Sequence, residues 1–251
     1  MSEVPGPPQV GAMRARYTRR VTPDHVRQRV SVRHLVDDPQ RGPRPTDVVG
    51  RLLAHDGELL LIIDRRSQLH VVDAEQVLAS RVVPPHPRLP PEPDVGTSDA
   101  PLHRDAARVL LLDSEDRVLL VSHAPDAQRL VWTAPGGGRH PEEDHRAAAQ
   151  RELREELGVG ITPGPWVWRR RVTFAFRGVW IDQNERWYLA HADGLDATTV
   201  PLDDLGAIGA RWWTTAELRT TDELLAPERL PDHLDRLLVD GPPQEPVDVG
   251  R

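Results

Sequence analysis

Residues 137–159 read GGRHPEEDHRAAAQRELREELGV and decide how the rest of the chain is interpreted. The second half of this stretch predicts an α-helix over residues 145–157, because Ala149, Leu153 and Leu157 recur every four residues and form an apolar stripe. A glycine directly after the stripe is suited to end the helix. The first half is rich in glycine and charge and predicts a loop that leads into the helix.

Three carboxylates share one face of the predicted helix. Glu152, Glu155 and Glu156 fall within an arc of roughly 100° on an ideal helix, and like charges so close destabilise it. Arg151 and Arg154 offset part of this repulsion, so a solvated acidic face is one interpretation. A hard divalent cation would offset it better, and ligands that are all oxygen favour Mg²⁺ or Mn²⁺ over zinc. Because Mg²⁺ commonly binds carboxylates together with substrate phosphates, the cluster indicates a phosphorylated substrate.

The whole stretch resembles the Nudix box of the Nudix hydrolases, GX5EX7REUXEEXGU, in which U is an aliphatic residue. Every specified position is matched, by Gly137, Glu143, Arg151, Glu152, Leu153, Glu155, Glu156, Gly158 and Val159. The resemblance extends over residues 104–239 and implies an α+β fold, an α/β/α sandwich around a mixed sheet. It also implies hydrolysis of a nucleoside diphosphate linked to another moiety.

The resemblance gives a role to each charged residue of the box. It implies a set of metal ligands: Glu152, Glu155, Glu156 and the backbone carbonyl of Gly136. Arg151 would orient the glutamates through a salt bridge, and Glu143 would support the loop or a water on the metal. Bound Mg²⁺ would screen the diphosphate and activate the water that attacks phosphorus in line.

Two glutamates are candidates for the base that removes the proton of the attacking water, because Nudix proteins place this base either in the box or on a later loop. Glu152 is the first choice. Glu185 is the second, since it is expected to precede a strand that runs near the box. An ordinary turn residue is the alternative interpretation of Glu185.

The sequence leaves two alternatives to a pyrophosphohydrolase, a nucleotide sensor and an isomerase. A non-catalytic Nudix-fold module could bind a nucleotide as a sensor, although such a module has no need for all four box glutamates. An isomerase acting on a prenyl diphosphate is disfavoured, because that branch would bring a catalytic cysteine and the chain has none. The seven tryptophans all follow residue 130, and one or two could stack on a nucleobase, with core packing as the alternative.

The chain is predicted to divide at its proline-rich segments. Residues 1–22 are expected to be a flexible tail and residues 23–88 a small β-barrel, since four or five short strands there alternate with turn signals. Residues 89–103 are a predicted Pro-rich linker, residues 104–240 the Nudix domain and residues 241–251 a second tail. The N-terminal region resembles the small SH3-like barrel found beside acetyltransferase domains in some actinobacterial proteins.

Charge and composition narrow the partners. Residues 89–251 hold 18 Arg against 29 Asp and Glu, an acidic balance that disfavours nucleic acid. No apolar run reaches the roughly 20 residues of a membrane span, and the N-terminus lacks the apolar stretch of a secretory signal. Without cysteine, the chain is expected to be cytoplasmic and free of disulfides. The barrel could be a substrate-side lid, a dimerisation element that would make a homodimer, or a peptide- or nucleic-acid-binding module.

Overall fold

The computed structural model describes residues 20–36, 42–126, 129–200 and 207–250, so residues 1–19 of the predicted N-terminal tail lie outside it. An N-terminal sheet is formed by β1 (Arg29–Val36), β2 (Arg44–His55), β3 (Leu59–Ile63), β4 (Leu69–Asp73) and β5 (Val77–Val82). Its neighbouring strands are antiparallel and follow the order β4-β3-β2-β1-β5. This is the kind of sheet expected for a small barrel-like module.

A second, mixed sheet forms the C-terminal part of the chain. Its strands are β6 (Leu102–Leu112), β7 (Val118–Asp126), β8 (Arg129–Thr133), β9 (Gly136–Gly138), β10 (Trp166–Phe176), β11 (Val179–His191), β12 (Ala207–Trp213), β13 (Leu224–Ala226) and β14 (Val247–Asp248). The pairing of β6 with β11 is parallel, whereas β10 and β11 form an antiparallel hairpin. The mixed sheet predicted from the sequence is therefore confirmed.

Helices cover both faces of the mixed sheet. Over the described residues they are α1 (His145–Leu157), α2 (Thr215–Thr220) and α3 (Leu230–Asp240). Leu153 of α1 packs in one core with Val109 of β6, whereas Leu218 of α2 and Leu234 of α3 pack in another with Leu110. Successive residues of a strand face opposite sides, so the helices sandwich the sheet as expected. None of these helices is both long enough and apolar enough to cross a membrane.

The two modules share an apolar core. It joins residues from both sheets: Leu53, Leu59, Leu61, Ile63, Leu102, Val179 and Ile181. At its edge, Nη1 of Arg177 lies 2.9 Å from Oδ2 of Asp56 and 3.0 Å from Oε2 of Glu58. Apolar packing of this kind fixes the orientation of the N-terminal module on the mixed sheet.

The segment predicted as a Pro-rich linker, residues 89–103, lies along this junction. Glu92 is buried, and its Oε1 lies 2.7 Å from Nε of Arg29 on β1. Further on, the amide of Trp180 donates to the carbonyl of Gly96 at 3.0 Å. β6 begins at Leu102, two residues before the predicted start of the second domain.

Residues 241–250, expected to belong to a tail, pack on the mixed sheet. β14 lies parallel to β10, and the amide of Val249 donates to the carbonyl of Arg169 at 3.0 Å. Val249 is buried in the core beneath α3. A pairing of two residues leaves no periodic pattern in the sequence, which is why composition alone indicated a tail.

The shared core makes a first prediction about stability. Ile181→Ala is expected to lower the free energy of unfolding by about 2–5 kcal/mol, since it removes a fully buried side chain from the junction. Urea unfolding followed by circular dichroism measures this loss. The matched control is Ile208→Ala, because Ile208 is 55% exposed and its truncation should cost about 0.5 kcal/mol or less. Equal losses in the two variants would contradict the role given to the shared core.

Candidate active site

Helix α1 carries the box carboxylates and is defined at both ends by its own sequence. Oδ1 of Asp144 accepts a hydrogen bond from the amide of Ala147 at 2.8 Å and caps the N-terminus. Gly158 ends the helix in the left-handed conformation, with φ of 69°, which glycine adopts without strain. The helix has the bounds predicted from the sequence, and buried Leu153 holds its apolar stripe on the sheet.

Arg151 lies at the centre of a network of carboxylates. Its Nη1 donates to Oε1 of Glu152 at 2.7 Å and to Oε2 of Glu155 at 2.8 Å. Its Nη2 donates to Oε1 of Glu143 at 2.7 Å and to the carbonyl of Gly138 at 2.8 Å. Burial alone would lower the pKa of Arg151, but these carboxylates raise it above its usual value. The guanidinium therefore stays charged and ties the loop to the helix.

Glu143 connects this network to the loop that precedes α1. Its Oε1 also accepts a hydrogen bond from the amide of His140 at 2.8 Å. Burial alone would raise the pKa of Glu143, but the hydrogen bonds from Arg151 and from that amide outweigh it, and the pKa lies below its usual value. Glu143 is thus ionised at neutral pH and braces the loop that leads into α1.

Glu156 is the most buried box glutamate, at 1% exposed. Its Oε2 accepts a hydrogen bond from the amide of Gly136 at 2.8 Å. The carbonyl of Gly136, predicted as a metal ligand, accepts a hydrogen bond from Nη1 of Arg108 at 2.7 Å. A carbonyl oxygen has a second lone pair, so this bond leaves one acceptor position on Gly136. A Cβ at Gly136 would lie 2.1 Å from the carbonyl oxygen of Ala107, so only glycine fits here.

The metal-ligand role predicted for Glu152, Glu155 and Glu156 stays a prediction. Among the described residues, no three His, Cys, Asp or Glu side chains meet closely enough to hold a metal ion. In this structure Arg151 bridges Glu152 and Glu155, and Glu156 accepts a hydrogen bond from the amide of Gly136. The donors are still all oxygen and belong to one helix face, which fits Mg²⁺ or Mn²⁺.

The backbone beside Glu152 supports the same fit. Gly137 lies against the Glu152 carboxylate, and a Cβ at Gly137 would come within 2.6–2.8 Å of its three atoms. A side chain at this position would therefore fill the space next to the carboxylate. The glycine keeps that space open beside a candidate ligand.

Glu185 belongs to a different, buried network. Its oxygens accept hydrogen bonds from Nε2 of Gln183 at 2.8 Å and Nε1 of Trp187 at 2.9 Å. The guanidinium groups of Arg108 and Arg170 lie at 3.5 and 3.4 Å. Burial alone would raise the pKa of Glu185, but the two arginines outweigh it and lower that pKa. Four donors around two oxygens make this carboxylate a poor acceptor for the proton of water.

The expectation that Glu185 precedes a strand is wrong, because it lies inside β11. No described contact joins it to a box glutamate, although its partner Arg108 also binds the carbonyl of Gly136. Sequence reasoning missed Arg108, whose signal was a single charge within the apolar stretch 106–112. A charge in the middle of a buried strand usually has a buried partner, and here that partner is Glu185.

A cavity of about 330 Å³ opens beside the box. Glu152, Gly138 and Arg139 line it from the box, and residues 102–105 line it from β6. Residues 66–69, from the turn between β3 and β4 and the start of β4, line it from the N-terminal module, and His140 and Pro141 of the box loop complete the lining. The candidate site is therefore built from both modules.

The tryptophans lie elsewhere. None of the described residues that line this cavity is a tryptophan. Trp168, Trp187 and Trp213 are buried in the core beneath α2 and α3. For these three residues, core packing is the correct interpretation.

Comparison with known proteins now identifies the family. Residues 102–234, just over half of the chain, match the model of the NUDIX domain. The chain belongs to the Nudix family. The prediction of a Nudix hydrolase acting on diphosphate bonds is thereby confirmed.

Individual relatives of this Nudix chain cover different parts of it. The RNA pyrophosphohydrolase of Rhodopseudomonas palustris (strain BisA53) is 27% identical over 146 residues, which are 51% of this chain and 82% of that protein. Diphosphoinositol polyphosphate phosphohydrolase 3-alpha of Mus musculus is 51% identical over 47 residues, 19% of this chain and 27% of that protein. The solved structure of a Nudix hydrolase from Nitrosomonas europaea is 19% identical and covers 55% of this chain and 90% of its own, with a TM-score of 0.43.

The glycine beside Glu152 gives a prediction about the Nudix site. Gly137→Ala is expected to lower kcat by about 10- to 100-fold, because the added Cβ displaces the Glu152 carboxylate. The displaced group is the end of a flexible side chain, so the fold should be kept and thermal unfolding should be unchanged. Gly160→Ala is the matched control, since a Cβ there meets nothing within 4 Å. Full activity in Gly137→Ala would contradict the role given to this glycine.

Proposed function

We propose that this Nudix hydrolase is a Mg²⁺-dependent pyrophosphohydrolase, with Mn²⁺ as an alternative cation, that cleaves a nucleoside diphosphate linked to another moiety. The observation that carries the proposal is the network in which Arg151 binds Glu143, Glu152 and Glu155, because Glu152 of this network lines the cavity. The two relatives described above support it, since one is named a pyrophosphohydrolase and the other a phosphohydrolase.

The cation would be held by the all-oxygen donors of α1 and the loop before it: Glu152, Glu155, Glu156 and the carbonyl of Gly136. When bound, a divalent cation supplies positive charge that screens the diphosphate oxygens and makes a nearby water more acidic. Arg151 fixes the rotamers of two of these glutamates before any substrate arrives. Such preorganisation is what a phosphoryl-transfer site needs, because its catalysis consists mostly of positioning and charge stabilisation.

Glu152 is the residue we assign as the general base. It lines the cavity, and its Oε1 accepts a hydrogen bond from Arg151 at 2.7 Å, which fixes the carboxylate. As the oxygen of the attacking water bonds to phosphorus, its proton passes to Glu152. The bridging P–O bond breaks at the same phosphorus, and its electron pair leaves with the second phosphate group. Two phosphorylated products result.

A substrate panel tests the proposal. It contains ADP-ribose, diadenosine tetraphosphate, a nucleotide sugar, an oxidised nucleoside triphosphate, a triphosphorylated RNA oligonucleotide and a diphosphoinositol polyphosphate, each with Mg²⁺ or Mn²⁺. Mass spectrometry of products formed in heavy-oxygen water identifies which phosphorus was attacked. We expect cleavage between two phosphates of a nucleotide substrate and loss of turnover in EDTA.

Two results of the panel would contradict the proposal. One is folded protein that cleaves no compound in the panel. The other is turnover that persists unchanged in EDTA. Cleavage of the inositol compound alone would keep the diphosphate chemistry but overturn the nucleoside part.

A further inference from the structure

The turn between β3 and β4 carries a charged residue of the N-terminal module to the Nudix box. Arg66 lines the same cavity as Glu152, and its Nη1 lies 3.2 Å from Oε1 of Glu142 in the box loop. We infer that this turn completes the substrate site and that Arg66 contacts a substrate phosphate outside the diphosphate that is cleaved. The inference rests on the proposed function and deepens it, because it names the class of substrate.

The turn is held in one shape by its own side chains. Oδ1 of Asp64 accepts hydrogen bonds from the amide of Arg66 at 2.8 Å and from the amide of Gln68 at 3.0 Å. Oδ2 of Asp64 lies 3.3 Å from Nε2 of His70 on β4. Ser67 takes a positive φ of 62°, which this pattern of hydrogen bonds supports. A braced turn presents a binding side chain with less loss of conformational entropy than a loose loop.

The position of the turn over the box is fixed as well. Leu61 and Ile63 of β3, the strand that leads into the turn, are fully buried in the core shared with Val179 and Ile181. Because β3 cannot shift without opening this core, the turn stays beside the box loop. Arg66 is thus placed by packing between modules, as a residue of a binding site must be.

Among the residues that line the cavity, the positive side chains outnumber the two carboxylates, Asp105 and Glu152, and this excess of positive charge favours an anionic group. Three arginines line it, and each is anchored differently. Arg104 lies against Gly138, where a Cβ would come within 2.4 Å of its Nε, and Arg139 lies 3.0 Å from Asp105. Arg66 is paired with Glu142, but its side chain is 74% exposed and that of Glu142 is 70% exposed.

An exposed ion pair of this kind contributes little to stability, so a phosphate can replace Glu142 as the partner of Arg66. Guanidinium binds phosphate through paired, charge-assisted hydrogen bonds. In the proposed function, the cleaved diphosphate would bind at the cation that Glu152 helps to hold. The three arginines Arg66, Arg104 and Arg139 are therefore suited to bind additional phosphates. The substrate class is accordingly a nucleoside or dinucleoside polyphosphate and not a nucleoside diphosphate joined to a neutral sugar.

The experiment compares two adenine nucleotides and three variants of the full chain. Calorimetry with Mg²⁺ measures the Kd of an imido-bridged, non-hydrolysable diadenosine tetraphosphate and of an imido-bridged ADP-ribose. Steady-state assays measure kcat and KM for the parent compounds. The variants are Arg66→Ala, Arg66→Lys and Arg65→Ala, the last being the matched control because its neighbouring arginine does not line the cavity.

We expect the unaltered chain to bind the tetraphosphate analogue more tightly than the ADP-ribose analogue. Arg66→Ala should weaken tetraphosphate binding and raise its KM by about tenfold, with kcat and ADP-ribose binding unchanged. Arg66→Lys should recover part of the loss, since lysine keeps the charge without the planar fork. Arg65→Ala should behave as the unaltered chain does.

The inference is overturned if Arg66→Ala binds the tetraphosphate as the unaltered chain does, or if Arg65→Ala loses as much affinity. It is also overturned if the unaltered chain does not prefer the tetraphosphate. A chain that shows the expected binding pattern but cleaves no compound in the substrate panel would contradict the proposed function and leave the role of Arg66 in place. Thermal unfolding of each variant shows that the differences arise in a folded chain.

Discussion

Glu156→Gln is expected to lower kcat by about 10³-fold, a loss of about 4 kcal/mol of transition-state stabilisation. The substitution removes a negative charge from the predicted cation site and keeps the shape of the side chain. The amide oxygen of glutamine can still accept the hydrogen bond that the Gly136 amide now donates to Glu156. The loss should therefore appear in activity and in cation affinity, while the fold is kept.

Steady-state kinetics on a substrate from the panel, with Mg²⁺ varied, measures this effect. Glu223→Gln is the matched control, because it makes the same chemical change at an exposed position outside the box. Circular dichroism and thermal unfolding establish that both variants are folded. Activity of Glu156→Gln within about tenfold of the unaltered chain would contradict a role for this carboxylate at the cation.

Glu185→Gln is expected to lower the free energy of unfolding by about 3–5 kcal/mol. The substitution leaves the buried guanidinium groups of Arg108 and Arg170 without their shared negative partner. The new amide group would also face hydrogen-bond donors, because Gln183 and Trp187 both donate to this side chain. Removing one member of a buried ion pair is costly because the remaining charge stays out of water.

Urea unfolding at several pH values measures this loss and its origin. The pKa of Glu185 is lowered in the fold, so its contribution is complete above the ordinary glutamate pKa of about 4.3 and is lost as the pH falls through the folded value. The difference between the two proteins should therefore be constant at neutral pH and shrink in acid. Glu115→Gln is the control, since its carboxylate is 71% exposed and an exposed pair is worth about 1 kcal/mol at most.

The same variant separates two roles for Glu185. A general base would lose activity on substitution without losing stability. A buried partner of two arginines would lose stability first. If Glu185→Gln leaves the free energy of unfolding unchanged and strongly lowers kcat, the result would indicate that Glu185 acts as the general base.

The elements of the fold that depend on local pattern could be predicted from the sequence. Helix α1 has its predicted bounds because an apolar stripe, a capping Asp144 and a stopping Gly158 all lie within one short stretch. The first part of β11 could not be predicted, because it contains the run Asp182–Arg186, which is polar and looks like a turn. In the structure Asp182 binds Arg171 at 2.7 Å and Glu185 binds two buried arginines, so distant partners make this run a strand.

The candidate site also has one part that could be predicted from the sequence and one part that could not. Its carboxylates and Arg151 lie on consecutive turns of one helix, so their proximity followed from helical spacing. The wall formed by Arg66 could not be predicted, because it depends on how two separate sheets pack against each other. Neither Leu61 nor Ile181 carries any sign in the sequence that the other is its neighbour. Sequence spacing reports local geometry, whereas this contact spans more than a hundred residues.

The apolar junction between the sheets also bears on how this enzyme can be divided. Cutting the chain near Gly96 and separating the two parts would expose Leu102, Val179 and Ile181 to solvent. The Nudix part would then carry an exposed apolar surface. The N-terminal half would be left with the complementary patch on β3. We expect each piece to self-associate through its exposed apolar surface. When the two pieces are mixed, we expect them to bind each other and re-form the apolar junction. We therefore expect the Nudix domain to be less stable without the N-terminal module than in the full chain.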